Sequence, residues 1–373
     1  MHRFVVQLGL LAALSLIRFA GPVAADPRSD CINADSAQTR VEACREVLEE
    51  DGLSPQNAAT AFYNLGNAHA ALNELQPALE AFDEAIRINA AVRDYFYNRG
   101  DVLARQGNTE AALADLHEAA LIDPKDPRSL NNIGFLYAQI GDLDRAYRMF
   151  TRSIALDPDY PNPYHNRGKL LRGVGNIEAA IPDLERAITL NPQNAGYLIE
   201  RGMALGQSGD AAAAIKDFDA AIAIDPSNAN AYMNRGNAHA ELGNFDMALA
   251  NFDRAEALNT DSAQVLANRA FALEQLGRLD DALAIYNTLL DQDPDNGKTL
   301  QNRGRLHQKM GNAEAAMADW MQSIELGKGP AIVAFQTHLL NAGLYSGDAD
   351  GVMSDTLQAA IVACAQTAAC FED

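Results

Sequence analysis

The sequence contains no C-x2-C pair, no phosphate-binding glycine loop, no metal-ligand spacing and no nucleophile motif. Zinc-finger, nucleotide-hydrolase and hydrolase chemistries each need one of these, so no catalytic arrangement emerges. Its four cysteines (Cys31, Cys44, Cys364, Cys370) all lie outside residues 59–330. Long apolar runs are equally scarce. The longest, Phe4 to Ile17, has 14 residues, short of the roughly 20 that span a bilayer, and Arg18 ends it. Basic residues are few, 29 Lys and Arg against 50 Asp and Glu for a formal charge of −21. That balance disfavours nucleic acid and anionic membrane as general partners, and the charge itself reads as solvated outer faces.

The run from Phe4 to Ile17 has a use. With His2 and Arg3 before it and Val23-Ala24-Ala25 after it, residues 1–25 read as a secretory signal peptide. The mature chain is then expected to start at Asp26, without membrane insertion, and loss of Arg3 and Arg18 takes the charge from −21 to −23. Cys31 does not sit at the cut, so no lipoprotein is expected. Export favours disulfides. A Cys31–Cys44 bridge is expected to pin an N-terminal cap, closing a loop worth on the order of 3 kcal/mol. Cys364 and Cys370 are six residues apart, about 9 Å along a helix against a limit of roughly 7 Å between bridged Cα atoms, so their pairing requires the last helix to break near Thr367 and stays open.

What the chain has in abundance is repetition. A period of 34 residues runs without insertion or deletion from 59 to 330, eight copies in all. Numbering each copy 1 to 34, position 8 is Gly66, Gly100, Gly134, Gly168, Gly202, Gly236, Ala270 and Gly304. Position 20 is always alanine, from Ala78 to Ala316. Position 24 is large and apolar (Phe82, Leu116, Phe150, Leu184, Phe218, Phe252, Tyr286, Trp320), and position 32 is proline in five copies. Positions 4, 7, 8 and 11 share one stripe of a first helix at about 100° per residue. Glycine at 15 in seven copies ends that helix in the left-handed manner, and Asn or Asp at 16 caps a second helix with its apolar stripe at 20, 21, 24, 27 and 28. Each copy is a helical hairpin that cannot cover its own apolar face, so neighbours must stack.

Small residues at 8 and 20, a bulky apolar one at 24 and proline at 32 on this period resemble the tetratricopeptide repeat, over 272 of 373 residues. The resemblance implies an all-α fold, a right-handed α-solenoid superhelix, and a role in protein binding rather than catalysis. Residues 26–58 are expected to form an N-terminal cap with one half-repeat helix around Val41, Cys44, Val47 and Leu48. Residues 331–373 are expected to form a degenerate capping hairpin whose loop glycine, Gly347, arrives two residues late.

Position 7 is arginine in six copies where the repeat family has an apolar residue. Arg99, Arg167, Arg201 and Arg303 occur with Asp115, Asp183, Asp217 and Asp319 at position 23, whereas Leu65 and Ile133 occur with Ala81 and Met149. Charge accompanies charge, which predicts interhelical ion pairs inside each copy; Arg235 faces Asn251, and Arg269 with Ile285 is the exception.

Position 6 is asparagine in seven copies, Asn64, Asn98, Asn132, Asn166, Asn234, Asn268 and Asn302, with Glu200 in the fifth. With positions 2, 5, 9, 12 and 13 it forms a stripe opposite the hairpin interface. In the repeat family this stripe faces the concave groove, and its asparagines resemble the ladder of the O-linked N-acetylglucosamine transferase superhelix, which holds extended peptide backbones. A primary amide donates and accepts at once, as that task requires. The alternative is that these amides bond a neighbouring repeat. Two basic clusters, Arg128, Lys169 and Arg172, then Lys298, Arg305 and Lys309, are expected to select acidic ligand segments, and the middle of the stripe is apolar (Ile199, Met203, Met233, Phe271). The chain therefore reads as a periplasmic or secreted scaffold, without cofactor, that binds a peptide or partner protein. The second reading is an accessory subunit of an envelope export or assembly machine that binds a folded partner.

Overall fold

A computed structural model describes residues 26–258 and 262–366. The candidate signal peptide, Thr367 and Cys370 lie outside the described residues. Those described are helical with no strand, in two compact units divided between Ile140 and Gly141.

In the first unit, α1 (Pro27–Asn33) and α2 (Ala37–Leu48) precede α3 (Pro55–Ala71), α4 (Leu75–Ile88), α5 (Arg93–Arg105), α6 (Thr109–Ile122) and α7 (Pro127–Gln139). Each helix packs on the next in chain order. The N-terminal cap is thus a helix pair rather than a single half-repeat helix. Pro27 at the first turn and the Asp26 side chain, which accepts from the Arg28 amide, start the extra helix. The Cys31–Cys44 disulfide joins the pair, and both cysteines are buried with Val41, Val47 and Leu65.

The second unit opens with α8 (Leu143–Leu156) and continues through α9 (Pro161–Gly173), α10 (Ile177–Leu190), α11 (Ala195–Gln207), α12 (Ala211–Ile224), α13 (Ala229–Glu241) and α14 (Phe245–Leu258). It ends with α15 (Ala263–Gln275), α16 (Leu279–Gln292), α17 (Gly297–Lys309), α18 (Ala313–Asn341) and α19 (Asp355–Gln366), again packed in chain order. From α5 to α17 every first helix starts at position 1 of its copy, and from α4 to α18 every second helix starts at position 17. The helix boundaries repeat the sequence period to the residue.

Position 8 explains the spacing of the hairpin. A Cβ on Gly202 would lie 2.6 Å from Phe218, and one on Gly66 2.7 Å from Phe82, so hydrogen at this position lets the ring at 24 lie against the first helix. The loops follow the expected chemistry. Gly107 to Gly311 at position 15 have φ between 73° and 87°, and in the first copy Asn73 takes the same conformation at φ 60°. Asn108, Asp142, Asn176 and Asp210 each accept from the backbone N–H three residues on.

The C-terminal cap departs from expectation. The last second helix runs on through Gly327, Lys328 and Gly329 with a kink at Lys328, φ 50°. The left-handed residue that ends this segment is Gly343, φ 70°, two residues early, and not Gly347. Val352 precedes α19 and is exposed. Phe335, Leu339, Leu357, Ile361 and Cys364 close the end of the unit over Trp320.

Four position-7 arginines make the expected forward contact and a second one that sequence comparison within a copy did not show, while Arg201 makes the forward pair with Asp217 alone. Arg167 donates from Nε and a terminal nitrogen to both oxygens of Asp183, each at 2.7 Å. Its other terminal nitrogen donates to Thr151 of the preceding second helix at 3.0 Å. Arg99 does the same with Asp115 and Asp83, Arg235 with Asn251 and Asp219, and Arg303 with Asp319 and Asn287. Each fork reaches 16 residues forward to position 23 and 16 back to position 25 of the copy before. Arg269 is the exception expected within its copy: with Ile285 unable to accept, it keeps only the backward bond, to Asp253 at 2.6 Å. The pairs are mostly buried, Arg167 at 16% and Asp183 at 11% side-chain exposure.

Arg167→Ala should therefore destabilise the protein by about 2 to 4 kcal/mol, because it strands a desolvated carboxylate. The double variant Arg167→Leu, Asp183→Ala, which copies Leu65 and Ala81, should recover much of that loss. Denaturant melts of the two variants check the pairing, and a double variant no better than additive contradicts it.

Candidate functional site

The candidate stripe lies on the first helices, on the side not used by the hairpin interface. All seven position-6 asparagines are half-buried. They do not behave alike. Asn98 donates to Tyr63 at 3.0 Å and to Asn67 at 2.7 Å, Asn132 to Tyr97 at 3.0 Å, and Asn268 to Asn237 at 2.8 Å. In each case the acceptor belongs to position 5 or 9 of the preceding copy, so these amides bridge copies. Asn234 has no such acceptor, because positions 5 and 9 before it are Ile199 and Met203. It donates instead to Asn230 O of its own helix at 2.8 Å. Asn302 follows Ala267 and Phe271 and likewise has no bond to the preceding copy, and Asn64 stands at the first copy.

Three cavities open on this face, and each is lined by one of the asparagines not tied to another copy. Asn64 lines a cavity of about 150 Å³ with Cys31, Val47, Leu53 and Ala61. Asn234 lines one of about 160 Å³ with Gly202, Met203, Gly206 and Phe218. Asn302 lines a third of about 160 Å³ with Arg305, Trp320, Phe335 and His338.

The basic clusters are largely neutralised from within. Arg172 donates to Glu200, the residue that replaces asparagine in the fifth copy, and both side chains are mostly buried. Arg128 is held by Asp126 of its own helix start. Arg305 and Lys309 each sit 3.8 Å from buried Glu274. Lys169 and Lys298 are the members left exposed without an ion-pair partner among the described residues. The expectation that all six cations line an open basic groove is thus corrected: four answer carboxylates. Sequence pairs within the stripe carried that signal, since Arg172 and Glu200 stand at positions 12 and 6 of consecutive copies.

The position-11 histidines belong to the packing stripe, as their register predicts. His69 is buried and bonds Glu74. Burial lowers the pKa of His239 and His307, with Arg235 and Arg303 pushing the same way against Asp219 and Asp319. Burial also lowers that of His165, where Glu200 opposes it. Tyr286, packed beside Glu274, is pushed up to about 12, first by burial and then by the carboxylate. No group of three or more His, Cys, Asp or Glu suited to a metal occurs among the described residues.

Stacked 34-residue helical hairpins with an unpacked face on the first helices define a helical-repeat scaffold. The chain carries tetratricopeptide repeats. Models described as TPR repeat or tetratricopeptide repeat match residues 59–90, 100–141, 127–160, 161–194, 202–243, 233–297 and 297–326. Among solved structures it is similar to a tetratricopeptide repeat protein from Parabacteroides merdae, at 17% identity and TM-score 0.51 over 65% of this chain and 96% of that one. It is also similar to the APC/C hetero-tetramer Cut9-Hcn1, at 15% and 0.54 over 76% of this chain and 56% of that one. These likenesses establish the fold. YrrB, a TPR protein with an unusual peptide-binding site, aligns at 26% identity and TM-score 0.42 over 51% of this chain and 97% of its own. No curated protein matches the sequence.

The three lowered histidines fix the sign of an acid effect. Below the unfolded value near 6.5 the unfolded chain takes up protons that the folded chain refuses, so stability is full above that pH and falls as pH drops through it toward the lower folded values. Melts between about pH 7.5 and 5 should show this decline, and His239→Gln should flatten it. An unchanged slope contradicts the assignment.

Proposed function

We propose that the protein is an exported scaffold, periplasmic in a bacterium, that holds an extended peptide or a peptide-like segment of a partner protein on its first-helix face. The fold is that of a protein-interaction scaffold, and such solenoids present extended binding surfaces. The observation that carries the peptide reading is the split among the asparagines. The amides used to bridge copies are spent, whereas Asn64, Asn234 and Asn302 each face a cavity with no bond to another copy. Donor and acceptor on one side chain match a peptide group whatever its residue. Lys298 lies one helical turn before Asn302, and Lys169 lies three residues after Asn166, so these two cations would meet any acidic residues of the ligand. Export is supported by the candidate signal peptide and by the Cys31–Cys44 bridge, which suits an oxidising compartment. No described helix is long and apolar enough to cross a membrane.

The two sets of asparagines should fail differently. With a partner captured from the envelope fraction and titrated against each variant, joint replacement of Asn64, Asn234 and Asn302 by Ala should weaken binding, by about 1 kcal/mol per lost amide contact, and leave the unfolding midpoint in place. Replacing Asn98, Asn132 and Asn268 should instead lower the midpoint. Unchanged affinity in the first variant, with folding intact, means that the ligand lies elsewhere.

A further inference from the structure

The crevice between α11 and α13 has the smallest residue of the array at position 12. Position 12, which points between consecutive first helices, is Arg172 in the fourth copy, Glu274 in the seventh and Gln308 in the eighth, each engaged with a neighbour, and alanine (Ala70, Ala104, Ala138, Ala240) in four others. In the fifth copy it is Gly206, whose absent Cβ would meet nothing within 4 Å. The result is a cavity of about 160 Å³, floored by Ala214, Ala238 and Phe218 and walled by Met203. Gln207, Asn234, Asn237 and Glu241 complete the lining, so an apolar floor lies under a polar rim, and the volume is that of a benzene-sized group. Asn234 stands at its edge with no bond to the preceding copy.

Charge distinguishes what could enter. On the stripe of the fifth and sixth copies there are two charged residues, and Glu200 is already matched by Arg172. The other, Glu241, is exposed at the crevice rim with no partner among the described residues, and no cation lies on this stretch of stripe. An acidic ligand residue would be repelled here, and a basic one would be paired.

Resting on the peptide reading above, we propose that this crevice is an anchor pocket for one leucine-, methionine- or phenylalanine-sized side chain of the bound peptide, with a lysine or arginine of the ligand beside it on Glu241. Gly206 sets the depth of the pocket and Glu241 its charge preference. The carboxylate attracts the neighbouring cation, while Asn234 takes the main chain between them.

Selection of a displayed random octapeptide library on the full chain tests this, followed by titration of synthetic copies of the enriched peptides. Enriched sequences should carry an apolar residue next to Lys or Arg. Gly206→Leu fills the cavity from a helical position with room for a side chain, so its unfolding midpoint should hold while these peptides bind at least tenfold more weakly. Glu241→Lys should turn the preference toward acidic neighbours. Peptides weakened by Asn302→Ala but indifferent to Gly206→Leu overturn the anchor pocket and leave the peptide reading standing. Enriched peptides indifferent to Asn64, Asn234 and Asn302 replacements as well as to Gly206→Leu overturn both, as does a library that enriches nothing.

Discussion

The contact between position 8 and the ring at position 24 sets the geometry on which the other interactions depend. With hydrogen in place of a side chain at Gly66, Gly202 or Gly236, the bulky residue lies flat against the first helix and the two helices of a hairpin come close. That spacing brings position 23 within reach of position 7. It also leaves an apolar flank that only the next hairpin covers, so stacking is compulsory and adjacent first helices are held side by side. The bridging amides and the crevices between first helices both arise from that arrangement.

Upon this frame the position-7 arginine acts as a fork between three helices. A guanidinium has five donors in one plane, and the structure uses opposite edges of it, one for the aspartate of its own copy and one for an oxygen of the copy before. A lysine has the charge but not the geometry to do both. The apolar variant of the same site is also present in the chain: Ile133 is fully buried and the residue 16 before it is His117, where the arginine copies have Asp, Glu, Thr or Asn. The fork and its apolar substitute are thus alternative solutions to the same junction. The cost of the charged solution is that neither partner tolerates loss of the other.

The fold was legible in the sequence because eight copies act as their own alignment. Helix boundaries from Leu75 to Ala313 follow the 34-residue period without a slip, and the glycine and asparagine positions of the turns keep their roles. The ends were less legible for the same reason: α1 and the Gly343 turn have no second copy to be compared with. In the candidate site the residue types were visible, but their availability was not. Arg172 reads as a groove cation until Glu200 of the next copy is placed against it, and Asn132 reads as a ligand amide until the Tyr97 hydroxyl accepts its hydrogen bond. Comparing each position with itself across copies hides such pairs. Comparing position 6 with positions 5, 9 and 12 of the copy before reveals them.

That comparison is itself a physical rule for this solenoid. An asparagine at position 6 is consumed when the preceding copy offers an oxygen at 5 or 9, as Tyr63, Tyr97 and Asn237 do, because a half-buried amide is better off with an acceptor than without one. It is released when those positions are apolar, as at Ile199 and Met203 or at Ala267 and Phe271. At Asn234 one of these apolar residues, Met203, also lines the cavity beside the amide, so there an amide not tied to another copy and an apolar wall occur together. A repeat array of nearly constant sequence thereby comes to differ from copy to copy along this stripe through substitutions in the neighbouring copy, with the asparagine itself unchanged.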